Sequence, residues 1–188
     1  EMERQGAHIV HLEVGEPDFD APACVKEAAC QALANGHTHY THSLGNYELR
    51  EAIADYYRDT YSVQVQADQI IVTSGSSPAI LLVFSALLDP GDEVIISDPH
   101  YACYPNFIKF VQGVPVTVPV FEEDGFQFRP EEIAKKITPR TKAIFINSPS
   151  NPTGNLLAAD RMRQIAALAG GPQAPMIVSD EIYHGLVY

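Results

Sequence analysis

The chain of 188 residues is long enough to bury a full core, and its 46% apolar content is that of a folded globular protein rather than a disordered one. A formal charge of -12 argues against the clustered Lys/Arg footprint of a nucleic-acid binder and against an anionic membrane surface. The longest apolar run, residues 79–88, falls far short of the roughly 20 residues that a membrane span needs, and the first residues show no basic-then-apolar leader, so a cytoplasmic protein is expected.

Residues 1–6 read as the end of a helix, and 9–14 as a short extended run closed by Gly15-Glu16-Pro17-Asp18. A helix follows over 22–35, with Pro22 in its first turn, Val25, Ala28, Ala29, Ala32 and Leu33 at helical spacing, and Gly36 as the stop. Beyond a histidine-rich polar loop the same signature recurs over 47–61, with Leu49, Ile53, Tyr56 and Tyr57 on one stripe. From Gln69 onward short β-branched runs alternate with helical segments. Strands are expected at 70–72, 94–96, 114–118, 143–146 and 176–178, and helices at 78–88, 105–112, 130–137 and 158–169. That alternation predicts an α/β fold with a mostly parallel sheet covered by helices on both faces.

Cys24, Cys30 and Cys103 are odd in number and lack CxxC spacing, which supports neither a disulfide framework nor a thiolate zinc site. His37, His39 and His42 have no carboxylate or thiol among them and fall short of the converging ligands a metal site requires. No metal is expected.

Chemistry is concentrated where strands end. Thr73-Ser74-Gly75-Ser76-Ser77-Pro78 feeds a helix with small hydroxyl residues and a glycine, a pattern suited to an anion at the positive end of the helix dipole. Simple N-capping by Ser76 or Ser77 explains the same letters. Asp180 closes the last apolar run, at the carboxyl end where α/β sheets carry their sites, although aspartate is also common there as a turn residue. Asn151, in the Pro-flanked segment 147–154, and Tyr183 follow two such runs and admit structural or functional readings alike.

Taken in order, Leu12 to Phe19, Tyr40-Thr41 with Gly45 and Leu49-Arg50, Thr73 to Ala79, Asp89 to Asp92 with Asp98-Pro99 and Tyr101, Asn147 to Gly154, and Ser179 to Tyr183 resemble the fold-type-I, class I/II aminotransferases that depend on pyridoxal 5'-phosphate (PLP). The resemblance implies that Ser76 and Ser77 bind the cofactor phosphate, with Tyr40 reaching across from a second subunit of a homodimer. It implies that Tyr101 stacks on the pyridine ring and that Asn151 and Tyr183 hold the phenolic oxygen. Asp180 is implied opposite the ring nitrogen, which makes Asp180 and Tyr183 the catalytic candidates, while Gly15 and Asn151 lie beside the substrate. The implied substrates are an L-amino acid and a 2-oxo acid. Residues 1–36 are implied to belong to the small domain and 37–188 to the PLP-binding large domain.

Two features depart from the family pattern. Pro78 removes a backbone N–H near the phosphate position. The family's Schiff-base lysine and carboxylate-binding arginine lie beyond the segment matching 179–183, so the chain is expected to be an incomplete piece without activity of its own. A PLP-dependent β-lyase, an aminotransferase-like effector domain of a transcription regulator and a catalytically dead paralogue are the alternatives. Borohydride reduction of the 188-residue chain with PLP, followed by peptide mapping, is expected to find no stoichiometric label on Lys26, Lys109, Lys135, Lys136 or Lys142. A single fully labelled lysine among these five overturns the placement of the site.

Overall fold

The computed structural model describes residues 1–11, 15, 19–172 and 174–186. The chain divides into two compact units, Glu1–Ile71 and Val72–Tyr188. Residues 12–14 of the expected run at 9–14, and the turn at 15–18 apart from Gly15, lie outside the described residues.

In the first unit one short 3-10 helix, Glu3–Gln5, ends at Gly6, and a second spans Ala67–Gln69. Helix α1 spans Ala23–Ala34 and α2 spans Tyr47–Tyr61, matching the expected segments. The Asn46 side chain caps α2 by accepting the Glu48 and Leu49 N–H groups, at 2.9 and 3.4 Å. Arg50 is buried, and its guanidinium donates to the Gly45 and Ala67 carbonyls at 3.3 and 2.8 Å. The expected apolar stripes do not become core here. Val25, Leu33, Leu49, Tyr56 and Tyr57 are exposed, because helical periodicity defines a face but only a partner surface buries it. Tyr56, Tyr57 and Tyr61 instead pack edge-on against one another, with centroids 5.7 to 6.2 Å apart.

The second unit is the α/β domain. Its four strands are β1 (Glu93–Asp98), β2 (Val114–Pro119), β3 (Thr141–Asn147) and β4 (Met176–Asp180), and its helices are α3 (Ser76–Leu87), α4 (Tyr104–Phe110), α5 (Pro130–Ala134) and α6 (Ala159–Leu168). All pairings are parallel, in the order β2-β1-β3-β4. Period-two alternation sends Val94, Ile96, Ala143 and Phe145 against Ile80 and Phe84 of α3 and Tyr104 and Ile108 of α4. Ile95, Val118, Ile144 and Ile146 face Ile133 of α5 and Ile165 of α6 on the other side. Both faces are therefore covered, which is why β1 and β3 read as continuous apolar runs.

The strand expected at 70–72 is not part of this sheet. Ile70 has extended dihedrals (φ -112°, ψ 130°), but the segment forms no ladder among the described residues. A β-branched run sets backbone conformation, whereas a strand also needs a neighbour to take its hydrogen bonds.

At the amino ends of β1 and β3, the register shifts between Glu93 and Val94. Glu93, only 5% exposed, accepts from Thr138 Oγ1 at 2.6 Å, from Thr141 Oγ1 at 3.3 Å and from the Arg140 guanidinium at 2.5 and 3.0 Å. These donors satisfy a charge that burial would otherwise penalise. Its pKa is held below the ordinary carboxylate value, chiefly by the Thr138 hydroxyl, against the opposing effect of burial and with help from Arg140. A depressed folded-state pKa stabilises the fold above the unfolded value and loses that contribution as pH falls through the folded one. Glu93→Gln is expected to cost about 1–3 kcal/mol at neutral pH and to flatten the acid limb of stability below about pH 5. Denaturant midpoints measured against pH check this, and an unchanged acid limb contradicts the role given to Glu93.

Candidate active site

A parallel sheet delivers the carboxyl ends of all its strands to one side, and the chain reverses direction across the sheet between β1, which it leaves for β2, and β3 on the opposite flank. The crevice at such a switch is where open α/β sheets bind ligands. Tyr101, Asn151 and Asp180 with Tyr183 follow the carboxyl ends of β1, β3 and β4.

The start of α3 has the conformation of an open helix end. Gly75 is the N-cap, at φ 104° and ψ 173°, a left-handed φ that a side chain would strain. No side chain caps the helix, so Ser76 and Ser77 are its first residues rather than its caps. Thr73 Oγ1 donates to the Gly75 carbonyl at 2.7 Å, bracing the turn. Free N–H groups and two hydroxyls thus stand at the positive end of a 12-residue helix. Pro78 occupies its third position and subtracts one donor.

Asp180 is the last residue of β4, opposite Asn147 in the β3 register. The Asn147 amide donates to the Asp180 carbonyl at 3.1 Å, and the Ser148 N–H donates to the same oxygen at 3.2 Å. Asn147 Oδ1 in turn accepts the Asn151 N–H at 2.6 Å, which turns the following loop back over the strand ends. The Asn151 amide then donates to the Tyr183 hydroxyl at 3.4 Å. The carboxylate of Asp180 accepts the Ile182 N–H on Oδ1 at 3.1 Å and the Tyr104 hydroxyl on Oδ2 at 2.7 Å.

Tyr104 is the functional neighbour that sequence reading missed, since its place at the head of α4 is one that any core aromatic fits. It is 2% exposed, its ring lies 4.5 Å from Phe145 and meets Tyr101 edge-on at 5.4 Å. Burial pushes its phenol pKa far up, and donation to Asp180 reinforces the shift. Tyr101 is raised as well, first by the neighbouring Cys103 side chain and then by burial and the nearby Tyr183 and Asp180. Both phenols are therefore neutral donors at physiological pH.

Ser76 and Asp180 line one cleft of about 280 Å³, between Ala79, Ile80 and Val83 of α3 and the segment Val178, Ser179, Glu181 and Ile182, with Phe145 at its base. The open helix start and Asp180 thus border the same space, whose size is near the lower end of ligand sites, about 300–1,000 Å³. Ser77 is exposed beside it. Tyr40 and Gly15 belong to the first unit, where the Tyr40 side chain is fully exposed and nothing lies within 4 Å of a Cβ built on Gly15. In the histidine-rich loop, the Leu44 N–H donates to His42 Nδ1 at 3.1 Å. Among the described residues no three His, Cys, Asp or Glu side chains gather as metal ligands.

The family model for aminotransferase class I and II matches residues 7–188. The chain belongs to that family, whose members depend on PLP, and its sheet is the parallel sheet of fold type I. A probable aspartate/prephenate aminotransferase of Thermus aquaticus is 46% identical over 188 residues, which cover all of this chain and 49% of the relative. A (5-formylfuran-3-yl)methyl phosphate transaminase of Methanocaldococcus jannaschii is 42% identical over 100% of this chain and 47% of its own length. The solved structure of aspartate aminotransferase from Thermus thermophilus with maleate superposes with a TM-score of 0.95 at 45% identity, covering 100% of this chain and 49% of that one. The chain thus spans about half the length of the curated relatives it matches.

Asn147 ties β3, β4 and the 148–151 loop together through its two amide atoms. Asn147→Ala is expected to destabilise the domain by about 1–3 kcal/mol and to speed hydrogen exchange at the Asn151 amide. Unchanged exchange at Asn151 shows that the loop is held by other contacts.

Proposed function

We propose that the whole protein is a PLP-dependent aminotransferase that moves an amino group from an L-amino acid to a 2-oxo acid. The observation that carries this reading is the single cleft that joins the open start of α3 to the Asp180 carboxylate, on a chain that belongs to the aminotransferase class I and II family.

The donor set fits the cofactor. Ser76, Ser77 and the free N–H groups of α3 receive its phosphate, as helix starts receive anions generally. Asp180 faces the pyridine nitrogen and keeps a proton there, because an ionised carboxylate favours the charged form of its neighbour. Asn151 and Tyr183, already within hydrogen-bonding reach of each other, donate to the phenolic oxygen. Tyr101 offers an aromatic face to the ring. PLP supplies the electron sink that makes the substrate α-proton acidic. The chain's residues bind, orient and polarise it.

The same reading places residues 1–36 in the small domain and 37–188 in the large domain of a cytoplasmic homodimer. It sets Gly15 and Asn151 beside the substrate. The exposed side chain of Tyr40 supports its reach to the phosphate of a second subunit. The names of the relatives make aspartate the first amino donor to test.

In the whole protein, Asp180→Asn is expected to lower the rate of α-proton exchange from aspartate by about 100-fold or more, the cost of losing a partner charge at a desolvated site. KM is expected to change little, because the loss falls on the transition state. A rise in KM alone refutes the role of Asp180. Mixing Tyr40→Phe subunits with Asp180→Asn subunits is expected to restore partial activity in verified heterodimers, where one of the two composite sites regains both residues. No recovery counts against a shared site.

A further inference from the structure

We propose that Tyr104 is a positioning residue that orients the Asp180 carboxylate by donating to its Oδ2, and so governs how firmly the cofactor's pyridine nitrogen holds its proton. The proposal rests on the assignment of Asp180 to that nitrogen.

The argument begins with the cost of the hydroxyl. Position 104 is a core position, 2% exposed and packed on Phe145, where phenylalanine would fill the same space. A buried hydroxyl is penalised unless it is paired. This one is paired with a carboxylate 76 residues away in sequence, at 2.7 Å. Contacts with Phe145 and Tyr101 fix the ring on both sides, so the O–H has little freedom to point elsewhere.

Its effect on Asp180 follows from charge. Each carboxylate oxygen receives one donor from the protein, Ile182 N–H on Oδ1 and Tyr104 O–H on Oδ2. A carboxylate has about four lone-pair sites, so acceptor capacity remains on both oxygens for a ligand in the cleft. Donation to the ionised form stabilises it and lowers its proton affinity. Tyr101 and Tyr183 are the other phenols near this pair, and Glu181 lines the same cleft as Asp180. Removing the Tyr104 hydroxyl takes away the donor that fixes Oδ2, so the carboxylate is freer to turn and its contact with the pyridine nitrogen weakens.

The test uses the whole protein loaded with PLP carrying an isotope label at the pyridine nitrogen, whose magnetic resonance position reports protonation directly. Tyr104→Phe is expected to move that resonance part of the way toward neutral pyridine, in the same direction as Asp180→Asn but less far. It is expected to add nothing in an Asp180→Asn background, as coupling through a shared partner requires. Replacing Tyr104 with a ring-fluorinated tyrosine keeps the packing and strengthens the donor. It is expected to move the resonance the opposite way, and this arm holds even if Tyr104→Phe folds poorly. A resonance that responds to Asp180→Asn and ignores both changes at position 104 overturns the proposal while leaving the Asp180 assignment intact. A resonance unmoved by Asp180→Asn overturns that assignment, and this proposal with it.

Discussion

Parallel pairing of β3 with β4, in the register that sets Asn147 opposite Asp180, is the constraint on which the candidate site depends. Each strand has to run in the same direction for its carboxyl end to arrive on the same side of the sheet. Once there, the two ends are fastened by the Asn147 amide and the Ser148 N–H, which both donate to the Asp180 carbonyl. A slip of one residue would turn the Asp180 side chain to the other face of the sheet, away from Tyr104 and α3.

The two ends of the sheet do different work. At the amino ends, the Glu93 carboxylate is enclosed by Thr138, Thr141 and Arg140, and its charge is used up in holding β1 to β3. At the carboxyl ends, the Asp180 carboxylate meets two donors among the described residues and lies beside a cleft. Two acidic residues on one sheet thus differ in role because one has its donors supplied entirely by the fold and the other does not.

The cleft itself combines two opposite demands. The start of α3 presents positive partial charge that suits an anion, and Asp180 borders the same cleft, where the proposed function sets the ring nitrogen. Gly75 makes the first possible by turning the chain into the helix at a left-handed φ. Tyr104 makes the second durable by giving the carboxylate a neutral donor from the core. Ala79, Ile80, Val83 and Phe145 give the cleft between them an apolar wall.

Local pattern was enough to read the alternation of strands and helices, because side-chain periodicity and Gly/Pro punctuation act over a few residues. Seen this way, α2 and β2 were legible nearly residue for residue, β1, β3 and β4 as the apolar centres of strands that run two or three residues longer, and the ordered motifs from Thr73 to Tyr183 pointed to the family. Residues 70–72 find no ladder partner among the described residues, because pairing is a property of two segments and the sequence displays one at a time. The stripes of α1 and α2 were legible as faces but not as core, for the same reason. Asp180 could be picked out by its place after an apolar run. Its bond to Tyr104 could not, since a tyrosine at the head of an amphipathic helix looks like packing until the fold carries its hydroxyl across 76 residues to a carboxylate. Sequence determined which segments form and which residues stand at their ends; tertiary structure alone decided which of those ends meet, because contact depends on strand order and register rather than on neighbours along the chain.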